Sequence, residues 1–120
     1  MTAVLLIEDD AWQRQHYTET LTREGFVVTA SPHALAAIGQ IDQARPDVIV
    51  LDLMLPGVNG MALLHELRSH SDLAAIPIIM MSTQPSLQES QLAPYGVVAV
   101  LDKTTMQHDA IAVAIRKALV

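Results

Sequence analysis

One stretch constrains this chain more than any other: Val48-Ile49-Val50-Leu51-Asp52-Leu53-Met54-Leu55-Pro56-Gly57. Aliphatic residues this dense read as a strand buried on both faces, the pattern of a parallel sheet covered by helices on each side. A carboxylate at the end of such a strand is costly unless that end opens onto solvent or a cation. Asp52 is therefore placed at the strand's carboxyl edge. Pro56-Gly57 and Asn59-Gly60 are turn chemistry leading into a helical repeat, so the strand feeds a loop and then a helix. In open α/β sheets that edge is where ligands bind.

The remaining segments repeat the unit. Ala3 to Ile7 is an aliphatic strand ending in Glu8-Asp9-Asp10, and Ala11 to Glu24 is an amphipathic helix with Trp12, Tyr17 and Leu21 among polar residues. Gly25 stops it. Phe26 to Ala30 form a second strand, and Ser31-Pro32 are the expected cap and first-turn pair of a helix running to about Ala44. After the central strand, Met61, Leu63, Leu64 and Leu67 recur at helical spacing, and Ile76 to Met81 form a fourth strand ending in Ser82-Thr83. Gln84 to Ala93 is the weakest helix, bracketed by Pro85 and Pro94. Val97 to Leu101 form a fifth strand ending in Asp102-Lys103, and a last helix is expected from Thr105 or a near neighbour through Leu119. Five strands alternating with five helices predict a single α/β domain over residues 1–120, a parallel doubly wound sheet with right-handed crossovers.

Composition narrows the function. The net charge of −6 argues against nucleic acid or an anionic membrane as a direct partner, because phosphate binding needs a basic face. With no cysteine there is neither a disulfide nor a thiolate metal site. No apolar run reaches the length of a membrane span and the start lacks the shape of a signal peptide, so a soluble cytoplasmic protein is expected. The five histidines, His16, His33, His65, His70 and His108, show no metal-ligand spacing and are read as solvated helix or loop residues.

In a parallel sheet all carboxyl ends share one edge, which makes neighbours of Glu8, Asp9, Asp10, Asp52, Ser82, Thr83, Asp102 and Lys103. Loop residues are often polar without meaning. Several carboxylates in one place, however, repel and raise one another's pKa unless a cation lies among them. Oxygen ligands without His or Cys suit Mg²⁺. Lys103, one of two lysines in the chain, would make a plain salt bridge on the simplest view, and Ser82 a helix cap. Taken together, an attacking carboxylate, a cation site, a hydroxyl and an ammonium are what a phosphoryl acceptor needs.

On those residues the chain resembles the receiver domains of two-component response regulators over essentially its whole length. The matching pieces are the acidic doublet Glu8-Asp9, Asp52 in Leu51-Asp52-Leu53-Met54-Leu55-Pro56-Gly57, Ser82 closing the fourth strand and Lys103 closing the fifth, at intervals that agree with the family's. The resemblance implies the flavodoxin-like fold with strand order 2-1-3-4-5. It further implies Asp52 as phosphoacceptor, Ser82 and Lys103 as its catalytic partners, and Mg²⁺ held by Glu8, Asp9, Asp52 and the backbone carbonyl of Met54. A histidine kinase or histidine phosphotransfer protein would donate the phosphoryl group. Catalysis would extend only to the domain's own phosphorylation and dephosphorylation, and the readout would be the face made by the fourth helix, fifth strand and fifth helix.

Three positions depart from the family pattern. Thr104 follows Lys103 where the family usually has a proline in a cis peptide; a cis bond without proline costs about 3 kcal/mol, so a trans bond is expected. Val100 stands at the usual aromatic switch position, and Thr83 where a smaller residue is common. The apolar fifth strand, Val97-Val98-Ala99-Val100-Leu101, is unusual for an edge and suggests a contact face for a partner or a second copy. A degenerate receiver acting as a phosphorylation-independent interaction module is the alternative. A nucleotide-binding protein is disfavoured because no Gly-rich loop follows the first strand.

Overall fold

The computed structural model describes residues 1–52, 60–69, 74–83 and 92–120, the side chains at 34, 35, 42, 61 and 63 excepted. In chain order these are β1 (Ala3–Ile7), α1 (Ala11–Arg23), β2 (Val27–Ser31), α2 (Ala34–Gln43), β3 (Val48–Asp52), α3 (Gly60–Ser69), β4 (Ile78–Ser82), a 3₁₀ turn (Ala93–Tyr95), β5 (Val97–Asp102) and α4 (Ala110–Ala118). The five strands form one sheet in the order β2-β1-β3-β4-β5, every pair parallel. This is the doubly wound architecture that the sequence predicts. Residues 84–91 of the expected fourth helix, and Met54, lie outside the described residues.

Alternation along the strands produces two cores. Leu5, Ile7, Ile49, Leu51, Ile78 and Met80 point to one face and pack against Ala37 and Ile41 of α2 and Leu64 and Leu67 of α3. Val4, Leu6, Val48, Val50, Ile79 and Met81 point to the other, against Leu21 of α1 and Ile111, Ala112 and Ile115 of α4. β3 and β4 are buried at every position, which is why their sequence is continuously apolar rather than alternating.

Three local expectations are corrected. Ser31 does not cap α2: it ends β2, fully buried, and its hydroxyl donates to the His33 carbonyl at 3.0 Å. The cap is His33, whose Nδ1 accepts from Ala36 N at 3.2 Å. The last helix begins at Ala110, not near Thr105. Asp102 diverts the chain first, its carbonyl accepting from Thr105 N and Met106 N at 3.2 and 2.9 Å. Trp12 is not part of the buried stripe of α1 but 87% exposed. It lies five residues from Tyr17, a rotation of about 140° away from that residue at 3.6 residues per turn. Finally, the apolar edge strand β5 is interrupted: Ile78 pairs with Val97 but Ile79 with Ala99, leaving Val98 as the extra residue of a bulge. A bulge disrupts an edge as a pairing template where no charge does so.

Candidate functional site

The sheet's register builds the site. β1 and β3 pair Ile7 with Leu51, so Glu8 and Asp52, one step further, stand side by side. Pleat parity continues Leu6 into Glu8 and Val50 into Asp52, which aims both carboxylates at the α1/α4 face. From β5 the same parity runs from Ala99 and Leu101 to Lys103. Its Nζ reaches between the two acids, 2.7 Å from Glu8 Oε1 and 3.0 Å from Asp52 Oδ2. Glu8 is fully buried and Asp52 5% exposed. An ion pair this deep offsets its desolvation only with close geometry and further hydrogen bonds.

The ammonium leaves the Glu8 carboxyl incompletely paired. Glu8 Oε2 is buried without a hydrogen-bond partner among the described residues. Burial, reinforced by the neighbouring Asp52 carboxyl and only partly opposed by Lys103, pushes the Glu8 carboxyl up to about 7. Burial works against the Lys103 ammonium, but its bonds to Glu8 and Asp52 outweigh that and hold it above its ordinary value. Carboxylate oxygens of Glu8, Asp9 and Asp52 all lie within 4.8 Å of one another, with Asp9 exposed at the rim. Three carboxylates, one of which has an orphaned oxygen in the interior, fit a divalent cation of the Mg²⁺ class.

Ser82 ends β4 one step beyond Met81, which pairs with Asp52. It is 1% exposed, and its carbonyl accepts Lys103 N at 2.9 Å. The structure thus gathers Glu8, Asp9, Asp52, Ser82 and Lys103 at one edge, as the sequence predicts. Two acids from the same loops stay out of the cluster. Asp10 caps α1, accepting from Trp12 N and Gln13 N at 2.9 and 3.2 Å. Asp102 accepts from Thr104 N and Thr104 Oγ1 at 2.9 and 2.6 Å, and these bonds hold its carboxyl below the usual carboxylate range. The Lys103–Thr104 peptide is trans.

Sequence reasoning missed Arg14. Its Nη1 donates to the carbonyls of Glu8 and Asp9 at 3.0 and 3.3 Å, tying helix α1 to the loop that carries the acids. The available signal was a cation in the first turns of a helix, where the macrodipole disfavours positive charge.

The chain has known relatives. The family model described as "Response regulator receiver domain" matches residues 4–116. The transcriptional regulatory protein CseB of Streptomyces coelicolor is 40% identical over 83 residues, covering 69% of this chain and 34% of that protein. The sensory transduction protein RegX3 of Mycobacterium tuberculosis is 36% identical over 86 residues, covering 72% and 37%. The chain therefore spans about a third of the length of these relatives. Among solved structures, the chemotaxis protein CheY4 of Vibrio cholerae superposes with a TM-score of 0.90 at 26% identity, covering 99% of each chain. The non-phosphorylated HemR receiver domain of Leptospira biflexa shares the fold, with a TM-score of 0.86 at 21% identity over 99% of this chain and 94% of the other.

Proposed function

The chain belongs to the response regulator receiver domain family of two-component signalling, and on that premise we propose that its residues 1–120 act as one receiver domain phosphorylated on Asp52. The observation that carries the assignment is the fork of Lys103 Nζ between Glu8 Oε1 and Asp52 Oδ2, with an orphaned carboxylate oxygen beside it. An ammonium and an unsatisfied acidic cluster around one carboxylate provide the charge neutralisation that phosphoryl transfer requires.

A carboxylate oxygen of Asp52 attacks phosphorus as the bond to the donor's imidazole nitrogen breaks, and the imidazole of a histidine kinase or phosphotransfer protein departs. Lys103 stays with the incoming negative charge and the Ser82 hydroxyl binds one phosphoryl oxygen. Glu8, Asp9 and Asp52 would hold Mg²⁺, with the Met54 carbonyl, outside the described residues, as a further expected ligand, and the ion would supply neutralisation of negative charge. Catalysis in this reading is confined to the domain's own phosphorylation and dephosphorylation, in the cytoplasm.

The readout follows from connectivity. Ser82 O holds Lys103 N, so a shift of Ser82 toward phosphate moves the start of the β5–α4 loop. Val100 packs against the α2/α3 core and offers no ring to swing, which makes that loop the route outward among the described residues. The face it reaches contains an apolar groove of about 440 Å³ lined by Val98, Ala99, Leu101, Val113 and Ala118, the surface we assign to a downstream partner or a second copy.

The test is intact-mass analysis after incubation with Mg²⁺ and acetyl phosphate. One added phosphoryl mass is expected, absent in Asp52→Asn and absent when Mg²⁺ is chelated. If the wild-type chain gains no such mass from acetyl phosphate or from histidine-phosphorylated donors, the domain is a phosphorylation-independent interaction module.

A further inference from the structure

A lysine stem is long and flexible, so the position of Lys103 Nζ depends on how firmly its Cα is held. On the amino side Lys103 N donates to Ser82 O at 2.9 Å. On the carboxyl side the chain turns at once without a proline to restrict it. The turn is made by side-chain chemistry: Asp102 Oδ1 accepts both the N–H of Thr104 at 2.9 Å and its hydroxyl at 2.6 Å. The Asp102 carbonyl meanwhile accepts from Thr105 N and Met106 N, and the Met106 side chain packs against the α1/α4 core. Lys103 is thereby enclosed between the two residues of an Asx-type bracket whose far end is anchored in the interior.

We propose that Asp102 and Thr104 are positioning residues for phosphoryl transfer: by closing a side-chain bracket around Lys103 they hold its ammonium at the fork between Glu8 and Asp52. Neither residue touches the reacting atoms. The Thr104 hydroxyl is the specific element, because the N–H bond to Asp102 is available to any residue but proline at that place whereas the second bond needs a hydroxyl. That the Asp102 carboxyl is held below the usual range by these two bonds is consistent with a bracket closed at neutral pH. This inference rests on the role given to Lys103 above, and its test includes a readout independent of phosphorylation.

Thr104→Val keeps the shape and the N–H bond and removes the hydroxyl; Thr104→Ser keeps the hydroxyl. With acetyl phosphate at saturating Mg²⁺, Thr104→Val is expected to phosphorylate roughly tenfold more slowly, the scale of a slightly misplaced catalytic group. Its Mg²⁺ affinity should be unchanged, because the acids come from β1 and β3, and Thr104→Ser should restore the rate. The independent readout is the ¹⁵N signal of the lysine ammonium groups, of which the chain has two, Lys103 and the exposed Lys117. Hydrogen exchange at Lys103 Nζ should accelerate in Thr104→Val, recover in Thr104→Ser and stay constant at Lys117. Thr104→Ala serves as the second variant if Thr104→Val fails to fold. A wild-type rate with an unchanged Lys103 signal in the hydroxyl-free variants overturns the bracket. If the wild-type chain is not phosphorylated at all, the reading of the site fails, and the Lys103 signal alone upholds or overturns the bracket.

Discussion

The two ends of the sheet use their carboxylates in opposite ways. At the amino end, the exposed Asp47 is engaged with backbone: its Oδ2 accepts Ala3 N at 2.8 Å and its own N–H donates to Ala3 O at 2.9 Å, joining the starts of β1 and β3. At the carboxyl end, Glu8 and Asp52 are buried, share one ammonium, and leave Glu8 Oε2 without a partner among the described residues. Asp10 shows that the difference is not one of location, since it sits on the carboxyl edge yet is consumed by the backbone of α1. Structural carboxylates are satisfied by the fold. The pair we assign to a cation is served instead by Lys103, which leaves Glu8 under-satisfied among the described residues.

The largest effect should come from removing that compensation. Lys103→Met keeps the length of the stem and deletes the charge, leaving two buried carboxylates side by side. Breaking a buried pair in this way costs roughly 4 kcal/mol, read as a shift in the urea midpoint at pH 8. Mg²⁺ should return part of it by binding only the folded state. A variant as stable as the wild type without metal would mean that the carboxyl end is no more strained than the amino end, and the contrast would collapse.

Next in size is the pH dependence of the wild-type chain. Unfolded, Glu8 loses its proton near 4.5; folded, it keeps it up to about 7. Between those values the folded state binds more protons, so stability falls as pH rises across that window. At about 1.4 kcal/mol for each pH unit the full fall is on the order of 3 kcal/mol. Glu8→Gln should flatten the slope, raise stability above wild type at pH 7.5 and weaken Mg²⁺ binding, the trade expected where a site is kept at the expense of the fold. Saturating Mg²⁺ should also flatten it in the wild type. A metal-free unfolding series from pH 4.5 to 7.5 that shows no decline would remove the basis for treating Glu8 as under-satisfied.

Much of this contrast is legible in the sequence, and the misplaced polar residues share one cause. The aliphatic runs define the strands because both faces of β1, β3 and β4 are covered, and once the strands are parallel, Glu8, Asp52 and Lys103 must meet. What sequence reasoning misplaces are points where a side chain competes locally with the backbone. Ser31 has the chemistry of a cap but turns its hydroxyl to the His33 carbonyl, so the next polar side chain takes the role. Asp102 reads as one more acid of the cluster yet folds back on Thr104, and that turn delays the last helix to Ala110. Arg14 acts on carbonyls, which every residue possesses, so composition carries no trace of its target. Periodicity reports the burial of the aliphatic strands; it says little about which of several short polar side chains captures a nearby N–H.

The smallest effects test the satisfied carboxylates. Asp10→Ala removes a cap that accepts two N–H groups of α1 and should cost about 1 kcal/mol. Asp47→Ala removes one exposed bond to Ala3 N and should cost about 0.5–1 kcal/mol. Asp10→Asn, which still caps, should recover most of the first loss. The informative quantity is what does not change: in all three variants Mg²⁺ affinity and the rate of Asp52 phosphorylation should stay at the wild-type level, although Asp10 is next in sequence to Asp9 and its replacement removes a negative charge close to the acidic cluster. A severalfold drop in Mg²⁺ affinity for both Asp10→Ala and Asp10→Asn, with Asp47→Ala unaffected, would make Asp10 a contributor to the site's charge rather than a cap alone. The division between structural and reserved carboxylates would then have to be drawn by distance from Asp52 instead of by hydrogen-bond satisfaction.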